Sequence, residues 1–254
     1  MKNLSKKIII GNWKMNLDYK SAITLSKKIN TALRYYKQKN EVVLLPDFSS
    51  LFEVGQNIKR SSIKLGSQDV APYNLGAYTG EVSLESLKQL KCEYVLIGHS
   101  ERRQYFNDDD LIADKMKNVL DHSNIIPILC IGETLKQKRA GKTLVVLEKQ
   151  LKTALSNIKN LSSKKIIIAY EPIWAIGSGR VIIVAEAISI HKKIRALIEK
   201  ICHNNLPKEL GIIYGGSINM KNFENFKNCS DISGLLIGGA SLKANDFINI
   251  VNNF

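Results

Sequence analysis

The chain of 254 residues predicts an α/β fold, a closed barrel of eight parallel strands alternating with helices, written (β/α)8. Three observations lead there. Apolar strand-like runs recur eight times, at residues 7–11, 42–45, 63–66, 94–97, 126–130, 165–169, 210–214 and 234–237. These runs are continuous Ile/Val/Leu stretches with no polar alternation, which marks strands buried on both faces, as a parallel sheet requires. Eight strand–helix units fill about 250 residues, the usual size of such a barrel as one domain. An open doubly wound sheet competes with this pattern, but the Gly-x-Gly-x-x-Gly expected after its first strand is missing.

Taken in order, the first run, Ile8-Ile9-Ile10, stops at Gly11, with Asn12 and Lys14 just beyond it. Amphipathic segments at 21–36 and 49–59 read as helices flanking the second and third runs. A loop with Pro72, Tyr73, Leu75 and Tyr78 carries little charge, which suits burial against a partner. Residues 84–89 precede the fourth run; His99 follows it, just ahead of Ser100-Glu101-Arg102-Arg103, which can start a short helix. Helical segments at 109–121, 143–157 and 185–203 separate the later runs. Gly215-Gly216-Ser217 follows the seventh run and Gly238-Gly239 the eighth, with helical segments expected at 220–226 and 242–251. No Ser/Gly-rich or single-sign stretch reads as a linker, so residues 1–254 form one expected domain.

In a (β/α)8 barrel the loops after the strands build the site, and polar residues fall there on this chain. The segment Tyr170-Glu171-Pro172-Ile173-Trp174-Ala175-Ile176-Gly177-Ser178-Gly179-Arg180 carries most of the chemistry. It sets a carboxylate at the end of an apolar strand, then a proline-stiffened exit and two glycines that free the backbone. That arrangement suits a base beneath a moving cover. Alone, the segment fits a solvated glutamate on an ordinary strand-to-helix connection better.

Lys and Arg number 37 against 23 Asp and Glu, a net charge of +14. The excess is mostly lysine spread over the helical segments, with no arginine block or interleaved aromatic platform, so a specific nucleic-acid site is not expected. The field of such a surface helps draw in a dianion. Cys92, Cys130, Cys202 and Cys229 make no Cys-x-x-Cys pattern and read as reduced thiols of a cytoplasmic protein. Cys202-His203 and His191 share an expected helix but lack a fourth ligand, so no metal is expected. Basic residues near the N-terminus precede only three isoleucines, too short for a signal peptide, and no apolar run reaches the length of a membrane span.

Seven segments carry a family resemblance. They are Gly11-Asn12-Trp13-Lys14-Met15-Asn16, Gly76-Ala77-Tyr78-Thr79-Gly80-Glu81, Ile97-Gly98-His99-Ser100-Glu101-Arg102-Arg103, Cys130-Ile131-Gly132-Glu133-Thr134, the Glu171 segment, Tyr214-Gly215-Gly216-Ser217 and Leu236-Ile237-Gly238-Gly239-Ala240-Ser241-Leu242. In this order and over the whole length, the chain resembles the triosephosphate isomerases, whose fold is the TIM barrel. The resemblance implies interconversion of dihydroxyacetone phosphate and D-glyceraldehyde 3-phosphate through an enediolate, a step of glycolysis and gluconeogenesis that needs no cofactor. It implies Glu171 as the base and His99 as a neutral electrophile. Lys14 would supply the fixed positive charge, Asn12 a neutral donor beside it, Glu101 the steering of Lys14, and Ser100 a resting place for Glu171. The substrate phosphate would be gripped by Gly177, Ser217, Gly238 and Gly239, where main-chain N–H groups can approach a dianion closely.

The same resemblance makes Pro172, Ile173 and Trp174 the first hinge of a lid and Ala175, Ile176, Gly177, Ser178 and Gly179 its moving tip, with Arg180 at the far hinge. It also implies a homodimer in which Tyr78 and Thr79 enter a pocket beside the neighbour's Asn12 and Lys14. Three departures stand out. Ser178 and Arg180 replace the usual Thr and Lys, Val181-Ile182-Ile183-Val184 replaces small or proline-containing residues, and Ser233 replaces an acidic residue. β-Branched residues restrict the backbone, so the second affects lid closure; the third is expected to affect stability only. A barrel that binds sugar phosphate without turning it over would lack Glu171, His99 or Lys14, and a basic adhesion or nucleic-acid role could coexist with catalysis.

Overall fold

The computed structural model describes residues 2–34, 39–155, 158–176, 182–203 and 205–254. Eight parallel strands run β1 Ile8–Asn12, β2 Glu41–Leu45, β3 Lys64–Ser67, β4 Tyr94–Ile97, β5 Ile126–Ile131, β6 Lys165–Tyr170, β7 Glu209–Tyr214 and β8 Gly234–Ile237. Each pairs with the next, and β8 pairs with β1 in the register Ile8 to Gly234, so the sheet closes. The two-residue strand Lys2–Asn3 lies against the start of β7.

Strand residues pack alternately into two cores. Ile8, Ile10, Val43, Leu45, Leu96, Ile128, Ile167 and Ile213 fill the barrel interior. Ile9, Val42, Leu44, Val95, Leu129, Ile168 and Ile212 face the helices. Period-two geometry therefore explains why the runs are apolar at every position: neither face meets water.

The helices are α1 Tyr19–Leu33, α2 Leu51–Ile58, α3 Leu84–Gln89, α4 Ser100–Phe106, α5 Ile112–His122, α6 Leu135–Arg139, α7 Thr143–Leu155, α8 Val184–Cys202 and α9 Ala244–Asn253. Side chains start several of them. Asp18 accepts from the Ser21 N–H ahead of α1, Ser83 caps α3, and Thr134 with Gln137 forms a capping box at α6. One expectation fails: residues 220–226 do not form an α-helix, only the 3-10 turn Phe223–Phe226. Asn222 accepts from the Asn219 N–H and donates to the Ser217 carbonyl, while Asn219 accepts from the Lys221 N–H. Such local side-chain bonds compete with helical ones. The expected helix ends at Tyr36 and Asn157 lie outside the described residues.

Closure is weakest between β7 and β8, which share the single register pair Tyr214 and Leu235. Ser233 reinforces that seam. Its N–H donates to the Ile212 carbonyl at 2.7 Å, its Oγ accepts from the Ile212 N–H at 3.2 Å, and its carbonyl accepts from the Ile8 N–H at 3.0 Å. Below it, Lys7 Nζ donates to the Cys229 and Ile232 carbonyls at 2.6 and 2.5 Å.

An ionic quartet, buried except at Arg102, fastens the start of α4 to its neighbours. Lys115 Nζ lies 2.7–2.9 Å from both carboxylate oxygens of Asp69 and Asp108. Arg102 Nε reaches the same two residues at 2.7 and 3.0 Å. Burial pushes the Asp69 carboxyl up despite its cations, whereas hydrogen bonds from Arg102 and Lys115 outweigh burial at Asp108 and hold it down.

His191 on α8 is buried, with Nδ1 3.3 Å from the Asp231 carbonyl and its ring edge-on to Tyr170. Burial lowers its pKa from 6.5 to about 4. The folded chain keeps this ring uncharged, while the unfolded chain takes up a proton below its ordinary pKa. Stability therefore falls as pH drops through that window by about 1.4 kcal/mol per pH unit, about 3 kcal/mol in all. Urea unfolding of His191→Gln across the window should show a flatter acid limb than the parent. Parallel curves would remove His191 as the cause.

Candidate active site

The loops after β1, β4, β6, β7 and β8 enclose a cavity of about 280 Å³ at one end of the barrel. Asn12, Lys14, His99, Glu171, Ser217, Gly238 and Gly239 all line it. Residues from the first and last strands meet here because the sheet closes.

Asn12 ends β1, and its Oδ1 accepts from the Lys14 N–H at 3.0 Å. Lys14 sits in the left-handed region at φ 53°, which costs about 1–3 kcal/mol for a residue with a side chain. Its carbonyl is held by Gln68 Nε2 at 2.9 Å, and the same amide reaches the Leu45 carbonyl at 3.0 Å. Asn12 and Gln68 thus fix the strained turn from two sides. Lys14 Nζ bonds Glu101 Oε1 at 2.6 Å and stands at the cavity wall beside Gly238.

Gly98, at φ 69°, turns the chain out of β4 and sets His99 as the N-cap of α4. His99 Nδ1 accepts from the Glu101 N–H at 3.3 Å. A neutral ring in this geometry carries its proton on Nε2. Nε2 lies 3.3 Å from Glu171 Oε1, and the Ser100 N–H donates to Glu171 Oε2 at 3.3 Å. It is the main chain of Ser100, not its hydroxyl, that touches the carboxylate. Ser100 and Glu101 do not line the cavity; they contact the residues that do.

Glu171 is buried immediately after β6, and its own N–H donates to the Ile131 carbonyl at 2.8 Å. The Cys130 thiol packs near it. Burial pushes that thiol well up, and the Glu171 charge adds to the effect, so Cys130 stays protonated beside the carboxylate. Ile176, Ile218 and Leu236 give the cavity an apolar wall. On the far side, Gly238 precedes the 3-10 turn Gly239–Leu242, and Ser217 follows the Gly-Gly pair after β7. Gly177, Ser178, Gly179, Arg180 and Val181 lie outside the described residues.

Glu133 was not singled out from the sequence, yet it holds Trp174, one of the residues expected to form the first hinge. Trp174 Nε1 donates to its Oε1 at 2.9 Å, and the Tyr170 hydroxyl reaches both oxygens at 3.1–3.2 Å. Burial raises the Glu133 carboxyl, opposed by those bonds. Its position just past β5 was the available signal, since polar residues at that end of a strand face the site. Tyr78 is half-exposed and its ring stacks on Tyr73 at 4.4 Å. Met15, next to Lys14, is 91% exposed.

Comparison with known proteins identifies the family. The family described as triosephosphate isomerase matches residues 7–254. The triosephosphate isomerase of Chloroherpeton thalassium is 41% identical over 98% of this chain and 99% of its own. That of Clostridium tetani is 42% identical over 98% and 97%, and that of Dictyoglomus turgidum 40% identical over 98% and 100%. No described helix is long and apolar enough to cross a membrane. With nearly the whole chain matched and the barrel intact, this chain belongs to the triosephosphate isomerase family.

Proposed function

We propose that the chain interconverts dihydroxyacetone phosphate and D-glyceraldehyde 3-phosphate, with Glu171 as the proton carrier and His99 as the electrophile. The observation that carries this reading is the buried pair itself: a carboxylate oxygen 3.3 Å from an imidazole nitrogen whose partner nitrogen accepts a main-chain N–H. Glu171 removes a proton from the carbon next to the substrate carbonyl. His99 Nε2–H donates to the oxygen where charge develops, and the neutral ring can take a proton from the neighbouring hydroxyl in exchange. Returning the proton from Glu171 to the adjacent carbon completes the isomerisation. No electron is gained or lost.

Lys14 and the main-chain N–H groups at Ser217, Gly238, Gly239 and Gly177 bind the phosphate dianion, Lys14 also facing the enediolate in a low dielectric. Glu101 aims the Lys14 ammonium through the 2.6 Å bond, and the Ser100 N–H parks Glu171 until substrate enters. The lid from Pro172 to Arg180 excludes water once closed, which strengthens these interactions and protects the enediolate. Two copies join through the exposed loop bearing Leu75, Tyr78 and Thr79, placed against the other copy's Met15 side of the site. Exposure of Leu75, Tyr78 and Met15 supports that contact. Four free thiols support the cytoplasm as the compartment.

A coupled assay with glyceraldehyde 3-phosphate should give turnover with the parent and a fall of roughly a hundredfold or more in Glu171→Asp, since withdrawal by one methylene spoils reach. Near-parental turnover in that variant would remove Glu171 as the base. Lys14→Met should weaken a phosphate-bearing inhibitor far more than an uncharged analogue; equal losses would make Lys14 structural. In sedimentation the parent is expected as a dimer and Tyr78→Asp as a monomer with reduced turnover. A parent that sediments as a monomer at assay concentration would refute the dimer.

A further inference from the structure

We propose that Gln150 is a positioning residue for Glu171, acting through the peptide at Gly132. The inference rests on Glu171 being the base. Gln150 projects from α7, in the outer ring of helices, onto the loop that follows β5. Its Oε1 accepts from the Gly132 N–H at 2.9 Å, and its Nε2 donates to the Gly132 carbonyl at 3.1 Å. One carboxamide thereby satisfies both polar groups of one residue, as a neighbouring strand would.

What leans on that peptide is the base and its hinge. The Glu171 N–H donates to the Ile131 carbonyl at 2.8 Å, and the Ile173 N–H donates to the Glu133 carbonyl at 3.1 Å. Residues 131 and 133 therefore hold the chain on either side of Pro172, while Gln150 holds the residue between them. Gly132 lies so close that a Cβ built on it would stand 1.8 Å from the Glu171 carbonyl oxygen, a backbone atom with no room to yield. With no side chain to anchor it, the Gly132 peptide is held from outside, by Gln150. Arg103 braces the chain two residues earlier, Nη2 donating to the Cys130 carbonyl at 2.8 Å, while its Nε donates to the Gly98 carbonyl at 2.7 Å.

Beyond Gln150 lies a cavity of about 310 Å³, lined by Arg103, Gln137, Lys149 and Gln150 among others. Water from it can replace a truncated amide and satisfy Gly132, so loss of Gln150 releases the peptide while leaving its hydrogen bonds makeable. The expected result is a misplaced carboxylate in a folded barrel. Binding of phosphate, on the opposite side of the site at Ser217 and Gly238-Gly239, stays as it was.

The test uses the full chain carrying Gln150→Leu, Gln150→Glu, Glu171→Gln or Lys149→Ala, the last an exposed neighbour on the same helix. Turnover and KM are measured with glyceraldehyde 3-phosphate, and inorganic phosphate serves as a competitive probe of binding. Gln150→Leu should lower kcat roughly tenfold to a hundredfold with the phosphate inhibition constant unchanged within about twofold. Lys149→Ala should alter neither. In Gln150→Glu the carboxylate still accepts from the Gly132 N–H but cannot donate to its carbonyl until protonated, so its kcat relative to the parent's should rise as pH is lowered. A Gln150→Leu kcat near the parent's, or equal losses of kcat and phosphate affinity, would overturn the proposal while leaving Glu171 as the base, provided Glu171→Gln is inactive. An active Glu171→Gln would instead sink the reading of Glu171 itself. Should Gln150→Leu fail to fold, the pH response of Gln150→Glu decides alone, a flat ratio overturning the proposal.

Discussion

The fold depends on the approach of the last strand to the first. Gly234 meets Ile8 so closely that a Cβ at position 234 would lie 1.9 Å from the Ile8 carbonyl oxygen. Pairing at this distance turns a twisted sheet with two edges into a barrel with none. Every interior strand side chain is then enclosed, and the residues after β1 and β8 become neighbours at the mouth. Lys14 beside Gly238 is a direct result of that closure.

Support for the site comes from two depths. Nearest the cavity, direct polar bonds fix side-chain direction: Glu101 on Lys14, the Ser100 N–H on Glu171, the Glu101 N–H on His99. Farther out, groups that never reach the cavity hold the peptides from which those side chains hang. Gln68 grips the carbonyl of a strained Lys14, Glu133 grips Trp174, and Arg102 ties α4 into the ionic quartet with Asp69, next to Gln68. A rigid barrel can carry strain at Lys14 because its strands pack over a well-filled core.

The strands were legible because burial on both faces writes itself as unbroken Ile, Val and Leu, and observed bounds differ from the expected ones by no more than a residue at either end. That Glu171, His99 and Lys14 would meet at one end of the barrel was legible because each follows a strand within a distinctive motif. Glu133 and Gln150 were not, since their partners are 41 and 18 residues away and neither hydrophobic period nor spacing encodes a side-chain bond across elements. The buried Lys115 escaped notice for a related reason: on sequence it belongs to the solvated lysines, and only the fold brings Asp69 and Asp108 around it. Residues 220–226 have helical periodicity, but Asn219 and Asn222 spend their amides on local bonds that the period does not register.

The quartet of Asp69, Arg102, Asp108 and Lys115 has an evolutionary consequence. Asp69, Asp108 and Lys115 are buried and Arg102 is partly so; exchanging one of the buried three strands an uncompensated charge, whereas replacing the set together by well-packed apolar residues is often tolerated. Single-step drift at these positions is therefore blocked while coordinated change is open. Across related lineages the four sites should vary as a unit, and their history should read as rare wholesale swaps separated by long stasis.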